Sequence, residues 1–250
     1  MSAPAAAFRR LADVCGYLAD LLYPPRCLVC GEDLEAGIAG PLCDEHRRAV
    51  VPVEEPFCDR CGKKMFARTT GDLLCDACRR AGPHFDRAFS ATLYNDAMRP
   101  FVHRYKYDMR HYLHAPLARW MVEFMHRHID VESLDGIVPV PLHWRRFQYR
   151  GFNQATALAR PIAREFSLPV ITRVLRRWRH TVPQVDLEPD ERLKSIRGAF
   201  RVRRAERIEG KRLLLVDDVY TTGATMNECA RVLKAAGAAS VIAFTLTRPI

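Results

Sequence analysis

A chain of 250 residues, 48% hydrophobic and 27% charged, has room for one α/β domain plus a small accessory module, and its composition excludes a disordered or fibrous protein. Its 39 Lys and Arg against 29 Asp and Glu leave a formal charge of +10. That balance suits polyanionic partners such as nucleic acid, diphosphate or an acidic lipid surface, and equally a solvated basic surface.

From the start, Phe8, Leu11, Cys15, Leu18 and Leu22 recur at helical spacing, so residues 1–25 are read as an amphipathic helix over 7–22 ended by Pro24 and Pro25. Arg9, Arg10, Asp13 and Asp20 interrupt its apolar stretch, and no basic n-region precedes it. Neither a signal peptide nor an anchor fits, no run approaches the roughly 20 apolar residues of a membrane span, and the expected location is the cytoplasm.

Residues 26–82 are rich in Cys, Gly and polar turns, the texture of a module whose core is metal. Eight of the nine cysteines lie at or before Cys78, and six stand in C-x-x-C pairs. In sequence order the ligands are Cys27, Cys30, Cys43 and His46, then Cys58, Cys61, Cys75 and Cys78. Paired thiolates at this spacing approach one Zn²⁺ at about 2.3 Å, with Gly31 and Gly62 permitting the turn. One or two closed, structural zinc sites are expected, the first resting on the single imidazole of His46. The spacing also permits a cross-braced pairing of the first and second knuckles. Redox use is the rival reading, but no strand and helix frame these pairs as a redox motif needs. Cys229, alone in a predicted helix, reads as a small buried hydrophobe.

Residues 83–250 change to alternating strands and helices. RAFSATLY (87–94) alternates as a strand, 98–107 and 115–128 are amphipathic helices, and DGIVPVP (135–141) is a buried strand meeting a turn. A helix over 153–166 has Asn153 at its N-cap, with Pro161 expected to kink it or move its start. KRLLLVDD (211–218), a helix over 224–236 and a strand over 240–247 close the chain. This β-α-β order predicts a parallel sheet with helices on both faces. RRFQYRGFNQ reads as an exposed basic loop or as a ligand-contacting one, and Lys106 in RYKYD is similar.

The most specific stretch is LLLVDDVYTTGAT (213–225), a buried strand ending in Asp217 and Asp218. Two carboxylates there can accept hydrogen bonds from vicinal ribose hydroxyls. Small residues at the start of the next helix let backbone N–H groups and the helix dipole hold a phosphate. VDDVYTTGAT resembles the signature of type I phosphoribosyltransferases for phosphoribosyl diphosphate (PRPP). The resemblance implies that Asp217 and Asp218 hold the ribose hydroxyls at the catalytic centre. Thr221, Thr222, Gly223, Ala224 and Thr225 would hold the 5-phosphate.

A second resemblance, to the ComF family, is carried by the zinc knuckles, DGIVPVPLHWRR, YRGFNQA and the spaced Gln184, Leu187 and Arg192, in that order. It implies a type I phosphoribosyltransferase-like parallel sheet preceded by a double zinc ribbon. It also implies that PVPL wraps the diphosphate, through backbone N–H groups near Val140, Leu142 and His143, with Arg145, Arg146 and Arg150 as charge partners. Mg²⁺ would accompany PRPP. Ser195, where relatives often carry Asn, and Pro161 depart from the pattern, and neither touches the phosphate cradle.

Two functions follow as expectations. The first is a PRPP- or ribose 5-phosphate-binding protein, an enzyme of pentosyl transfer if it turns over. The second, implied by the link between ComF relatives and DNA uptake, is a non-catalytic protein that handles single-stranded DNA beside competence-machinery proteins. Arg176, Arg177 and Arg179, with Arg201, Arg203 and Arg204, would follow the backbone, and Trp144, Phe147, Tyr149 and Phe152 would stack bases.

Overall fold

A computed structural model describes residues 26–34, 42–66, 73–107, 113–179 and 195–249. The helix expected at 7–22 and the Gln184, Leu187, Arg192 spacing lie outside these residues. The chain divides into two compact units, residues 1–50 and 51–250. The division falls between the two cysteine clusters.

In the first unit Arg26 and Asp33 bridge in antiparallel fashion across the Cys27–Cys30 knuckle. Cys27 N–H donates to Glu32 O at 2.7 Å and Gly31 N–H to Cys27 O at 2.9 Å. Gly31 turns the chain with φ 79°, in the left-handed region that costs Gly nothing. Cys43 then caps a short helix, α1 (Asp44–Arg48). Apart from Cys27, the described core is only Leu28, Leu34, Leu42 and Val50.

The second unit opens on the same device. Phe57 and Lys64 bridge across Cys58–Cys61. Cys58 N–H donates to Lys63 O at 2.8 Å, Gly62 N–H to Cys58 O at 2.8 Å, and Gly62 has φ 68°. Cys75 caps α2 (Asp76–Arg80) as Cys43 caps α1. The two knuckle-plus-helix pieces are an internal repeat, with the fourth ligand one helical turn after the third in each.

In each repeat the four ligand atoms lie within 4.8 Å of one another, Cys27, Cys30, Cys43 and His46 in one cluster and Cys58, Cys61, Cys75 and Cys78 in the other. The sulfurs of Cys30 and Cys43 are 3.9 Å apart and those of Cys61 and Cys75 are 3.6 Å apart. A tetrahedral Zn²⁺ with bonds of about 2.3 Å needs ligand separations of about 3.8 Å. Cys43 and His46 meet through Nδ1 at 3.0 Å. The donor sets fit zinc, and the pairing is sequential rather than cross-braced. Burial raises the Cys61 and Cys78 thiols, so the crowded sulfurs cannot all ionise without a cation among them.

The remainder of this unit is a parallel sheet. Its strands are β1 (Arg87–Leu93), β2 (Gly136–Pro139), β5 (Arg212–Val219) and β6 (Ser240–Arg248), in the order β1-β6-β5-β2. Leu213 to Val216 are fully buried, as a strand covered on both faces requires. One face packs Leu213, Leu215, Val241 and Ala243 against Cys229, Ala230 and Leu233 of α7 (Ala224–Ala235). On the other, Phe89 and Phe244 each meet Phe124 at 5.7 Å. Phe124 belongs to α4 (His114–His128), which packs beside α6 (Gln154–Glu165). Asn153 caps α6 as expected, accepting from Thr156 N at 3.2 Å, but Pro161 lies inside that helix and does not set its start.

Two features depart from the sequence reading. The basic stretch after PVPL is not a loop but a helix, α5 (Trp144–Arg150), capped by the His143 side chain and ended by Gly151 at φ 73°. A short antiparallel ribbon, β3 (Leu175–Arg177) with β4 (Phe200–Val202), packs on α7. The amphipathic α3 (Met98–Tyr107) completes the elements that reach the site.

A small unit whose core among the described residues has, besides Cys27, four aliphatic side chains depends on metal for its fold, since binding free energy there is folding free energy. Protein purified without chelator should contain two zinc ions per chain by elemental analysis, and chelation should unfold the first unit. Less than one zinc per chain would contradict this assignment.

Candidate active site

The carboxyl ends of β5 and β2 open into a cleft of about 570 Å³. This is the edge at which parallel α/β sheets bind ligands. Its walls are Asp217 and Asp218 at the end of β5, the turn into α7, the Val140–Leu142 segment after β2, and the α5 face carrying Arg145, Arg146 and Arg150. Of the residues singled out from sequence, Asp217, Asp218, Thr221, Gly223, Thr225, Val140, Leu142 and the three arginines all border this cleft. Thr222 and Ala224 are not among its lining residues; Thr222 Oγ1 accepts from Ala224 N at 3.4 Å. His143 is buried and serves as the α5 cap.

The two acids occupy different environments although they are neighbours. Asp218 is buried and its Oδ2 lies 3.2 Å from Lys106 Nζ, a pair in which both side chains are largely covered. Asp217 Oδ1 accepts the Asp218 backbone N–H at 2.9 Å. Burial, with the Asp218 charge behind it, pushes the Asp217 carboxyl up to about 7, opposed by that N–H, Lys106 and Arg177. The Arg177 guanidinium is in turn brought down to about 10, first by burial and then by Arg146.

Gly223 precedes α7 with φ 77°, and a Cβ there would collide with the Tyr220 phenol. Only glycine fits on both counts. The turn brings Thr221, Thr222 and Gly223 to the positive end of the α7 dipole, an arrangement suited to a phosphate. Across the cleft Asn153 Nδ2 donates to Val140 O at 3.0 Å and fixes the segment after β2. Gln154 Oε1 accepts from Arg150 at 3.3 Å, while its buried Nε2 finds no acceptor. A buried donor left unpaired beside a cationic wall suits an anionic ligand rich in acceptors.

Sequence reasoning assigned three contributors no definite place in the cleft: Lys106 and Gln154 stood in stretches open to a ligand-contacting reading, and Arg177 in a basic cluster. Arg177 groups by proximity with Arg176 and Arg179 as one surface cluster, but alternation along β3 sets it opposite to Arg176 and turns it into the cleft. Lys106 carries no sign of its carboxylate partner. Gln154 stands beside a predicted N-cap with nothing in its spacing to mark it. The alternation around Arg177 is the one signal that could have been read in advance.

Residues 18–79 match the double zinc ribbon domain, and residues 148–249 match the phosphoribosyl transferase domain. The DNA utilization protein YhgH of Escherichia coli K12 is 31% identical over 92% of this chain and 100% of its own length. Competence protein F of Haemophilus influenzae is 27% identical over 89% of this chain and 96% of its own. Competence protein ComFC of Streptococcus pneumoniae is 27% identical over 89% and 100%. With both domains matched and a relative 31% identical along its whole length, the chain belongs to the ComF family, a double zinc ribbon joined to a type I phosphoribosyltransferase domain.

Proposed function

We propose that the cleft binds a phosphoribosyl ligand, PRPP or ribose 5-phosphate. The observation that carries this is the placement of Asp217 and Asp218 beside the Gly223-led start of α7, with arginines on the facing wall. The carboxylates accept from the ribose diol, displacing Lys106 from Asp218. The 5-phosphate takes backbone N–H groups and hydroxyls of 221–225. A diphosphate lies along Val140 and Leu142 with Arg145, Arg146 and Arg150. A cleft of about 570 Å³ is of the size that small-molecule sites have.

Mg²⁺ would enter on the ligand's diphosphate and ribose oxygens, which suits a wall whose acids are already engaged with cations. Bound there, it would supply positive charge that offsets the diphosphate's. The protein's own part is positioning and a charged wall aimed where negative charge develops. Thiol clusters of this kind suit the reducing cytoplasm. Among the described residues no helix is long and apolar enough to cross a membrane.

A second reading follows from the relatives named for DNA utilization and competence, and one surface favours it. On the outer side of the β3–β4 ribbon Arg176 stands directly opposite Arg201. Arg201 lies 4.0 Å over the ring of Trp178, which is 49% exposed and held by Nε1 donating to Gly198 O at 2.8 Å. An exposed ring among arginines is a platform for single-stranded DNA, in company with competence-machinery proteins.

Removing the diol's acceptors leaves ligand hydroxyls unpaired, at about 1–3 kcal/mol each. Asp217→Ala with Asp218→Ala should therefore weaken PRPP–Mg²⁺ binding by more than tenfold in calorimetry, with the fold retained. Unchanged affinity in the folded variant would refute the site.

Acidity gives a second check. A carboxyl raised to about 7 in the fold, from about 3.9 in the unfolded chain, holds its proton more tightly when folded. It costs nothing below both values, and stability falls as pH rises from about 4 to about 7. Asp217→Asn keeps the acceptor for Asp218 N–H, so its stability relative to the parent should increase between pH 5 and pH 8 in thermal melts. An offset that does not change with pH would contradict the raised acidity constant.

The arginines divide the two readings. Replacing Arg176, Arg179 and Arg201 by Ala should flatten the salt dependence of single-stranded DNA binding, by about 0.7 in log–log slope for each phosphate that is no longer neutralised. PRPP affinity should stay intact. Arg177→Ala should do the reverse. A triple variant that binds both ligands like the parent would return the ribbon to ordinary solvated surface.

A further inference from the structure

The turn between β5 and α7 does not rest on those two elements alone. Tyr220, the first residue after β5, is buried, and its N–H donates to Thr247 O at 2.9 Å. Its phenol occupies the space in which a side chain at 223 would begin, so Tyr220 and the left-handed Gly223 fix one another. The guanidinium carbon of Arg248 lies 4.9 Å from the centre of the Tyr220 ring.

Arg248 is the last residue of β6 and only 8% exposed. Its Nη1 donates to the Cys61 carbonyl at 2.7 Å. Cys61 is a ligand of the second cluster, and the knuckle backbone is pressed onto the sheet at this point. Ala88 N–H donates to Arg60 O at 2.8 Å. A Cβ on Gly62 would collide with the Ala88 carbonyl and lie 3.2 Å from Arg248 Nη1. One buried guanidinium therefore has the metal knuckle on one side and the base of the ligand turn on the other.

A guanidinium removed from water must find acceptors, and here the Cys61 carbonyl supplies one and the Tyr220 ring face supplies its other charge partner. The position of that carbonyl depends on the wrap of Cys58–Cys61 around an ion, which the knuckle's own hydrogen bonds and the Ala88–Arg60 bond support but do not replace. When the carbonyl moves, Arg248 loses its fixed place, the Tyr220 ring is released, and with it the conformation of Gly223.

We propose that Arg248 is a positioning residue through which metal at the Cys58, Cys61, Cys75, Cys78 cluster sets the order of the Tyr220–Thr225 turn, and through it the affinity of the cleft for its phosphorylated ligand. The affinity half rests on the phosphoribosyl reading of the cleft; the order of the turn does not. Neither zinc ribbon nor transferase domain alone contains the device, since the guanidinium belongs to one and its acceptor to the other.

The test uses the zinc-loaded full chain, with amide hydrogen exchange of residues 220–225 followed as a zinc-selective chelator is titrated in, and ribose 5-phosphate binding measured by calorimetry. In the parent, exchange in this segment should speed at least tenfold as the second zinc is lost, while β2 and α6 stay protected. Arg248→Ala should keep its zinc, exchange fast from the outset without responding to chelator, and bind ribose 5-phosphate at least tenfold more weakly. Arg248→Lys, which can still donate to Cys61 O and sit over the ring, should recover part of both. Tyr220→Leu, which leaves the Arg248–Cys61 bond and removes the ring, should also exchange fast. A fully zinc-loaded Arg248→Ala with exchange like the parent overturns the proposal, as does a chelator response that persists in that variant. A parent that binds no ribose 5-phosphate, yet shows the expected exchange, refutes the ligand reading and upholds the coupling of turn to metal.

Discussion

Two neighbouring carboxylates following the fully buried run Leu213–Val216 repel one another, and most of the cleft answers to that charge. Lys106 reaches from α3 to Asp218 at 3.2 Å, and the Asp218 backbone N–H turns back to Asp217 at 2.9 Å. Arg177 approaches from the ribbon, itself held below its ordinary acidity constant by burial and Arg146. An arrangement that concentrates both signs of charge out of water is a poor way to stabilise a fold and a sound way to prepare a site for a ligand that carries hydroxyls and phosphates. The sheet supports this by presenting the acids near the carboxyl end of β5, where β2 has already stopped at Pro139 opposite Val216 and leaves them open on that side, while β6 continues alongside.

The metal clusters solve a different problem. Each knuckle-plus-helix repeat has too few apolar side chains to close a core, and an ion held by four ligands replaces it. In the second unit, the same piece is bonded to β1 and to Arg248, so that ribbon is joined directly to the transferase sheet.

Much of this is legible in the sequence because the signals are local. The run Leu213–Val216 before two acids, the Thr-Thr-Gly start of α7, and the C-x-x-C spacings each carry their physics within ten residues. The internal repeat is also present in the spacing, 58 following 27 and 78 following 46, but the cysteines read more readily as two clusters than as one device used twice. What stays hidden depends on partners distant in the chain. The segment Trp144–Arg150 is charged and aromatic without an apolar stripe, so its helix shows only once the His143 cap and Gly151 stop are in place. Arg177 and Arg176 are identical as letters and opposite in fate, because β3 turns one inward. The Lys106–Asp218 pair joins residues that no spacing connects. The end of β6 looks like an ordinary strand terminus, and nothing near it announces that Arg248 bonds to Cys61.

The central claim, that the cleft at the end of β5 receives a ribose phosphate, is tested most directly by a crystal structure of the full chain grown with ribose 5-phosphate. The account predicts the phosphate against the backbone of Thr221–Thr225 at the start of α7, the two ribose hydroxyls on Asp217 and Asp218, and Lys106 turned away from Asp218. Ligand density elsewhere on the surface, with Lys106 still on Asp218 and the cleft empty at saturating ligand, would contradict it.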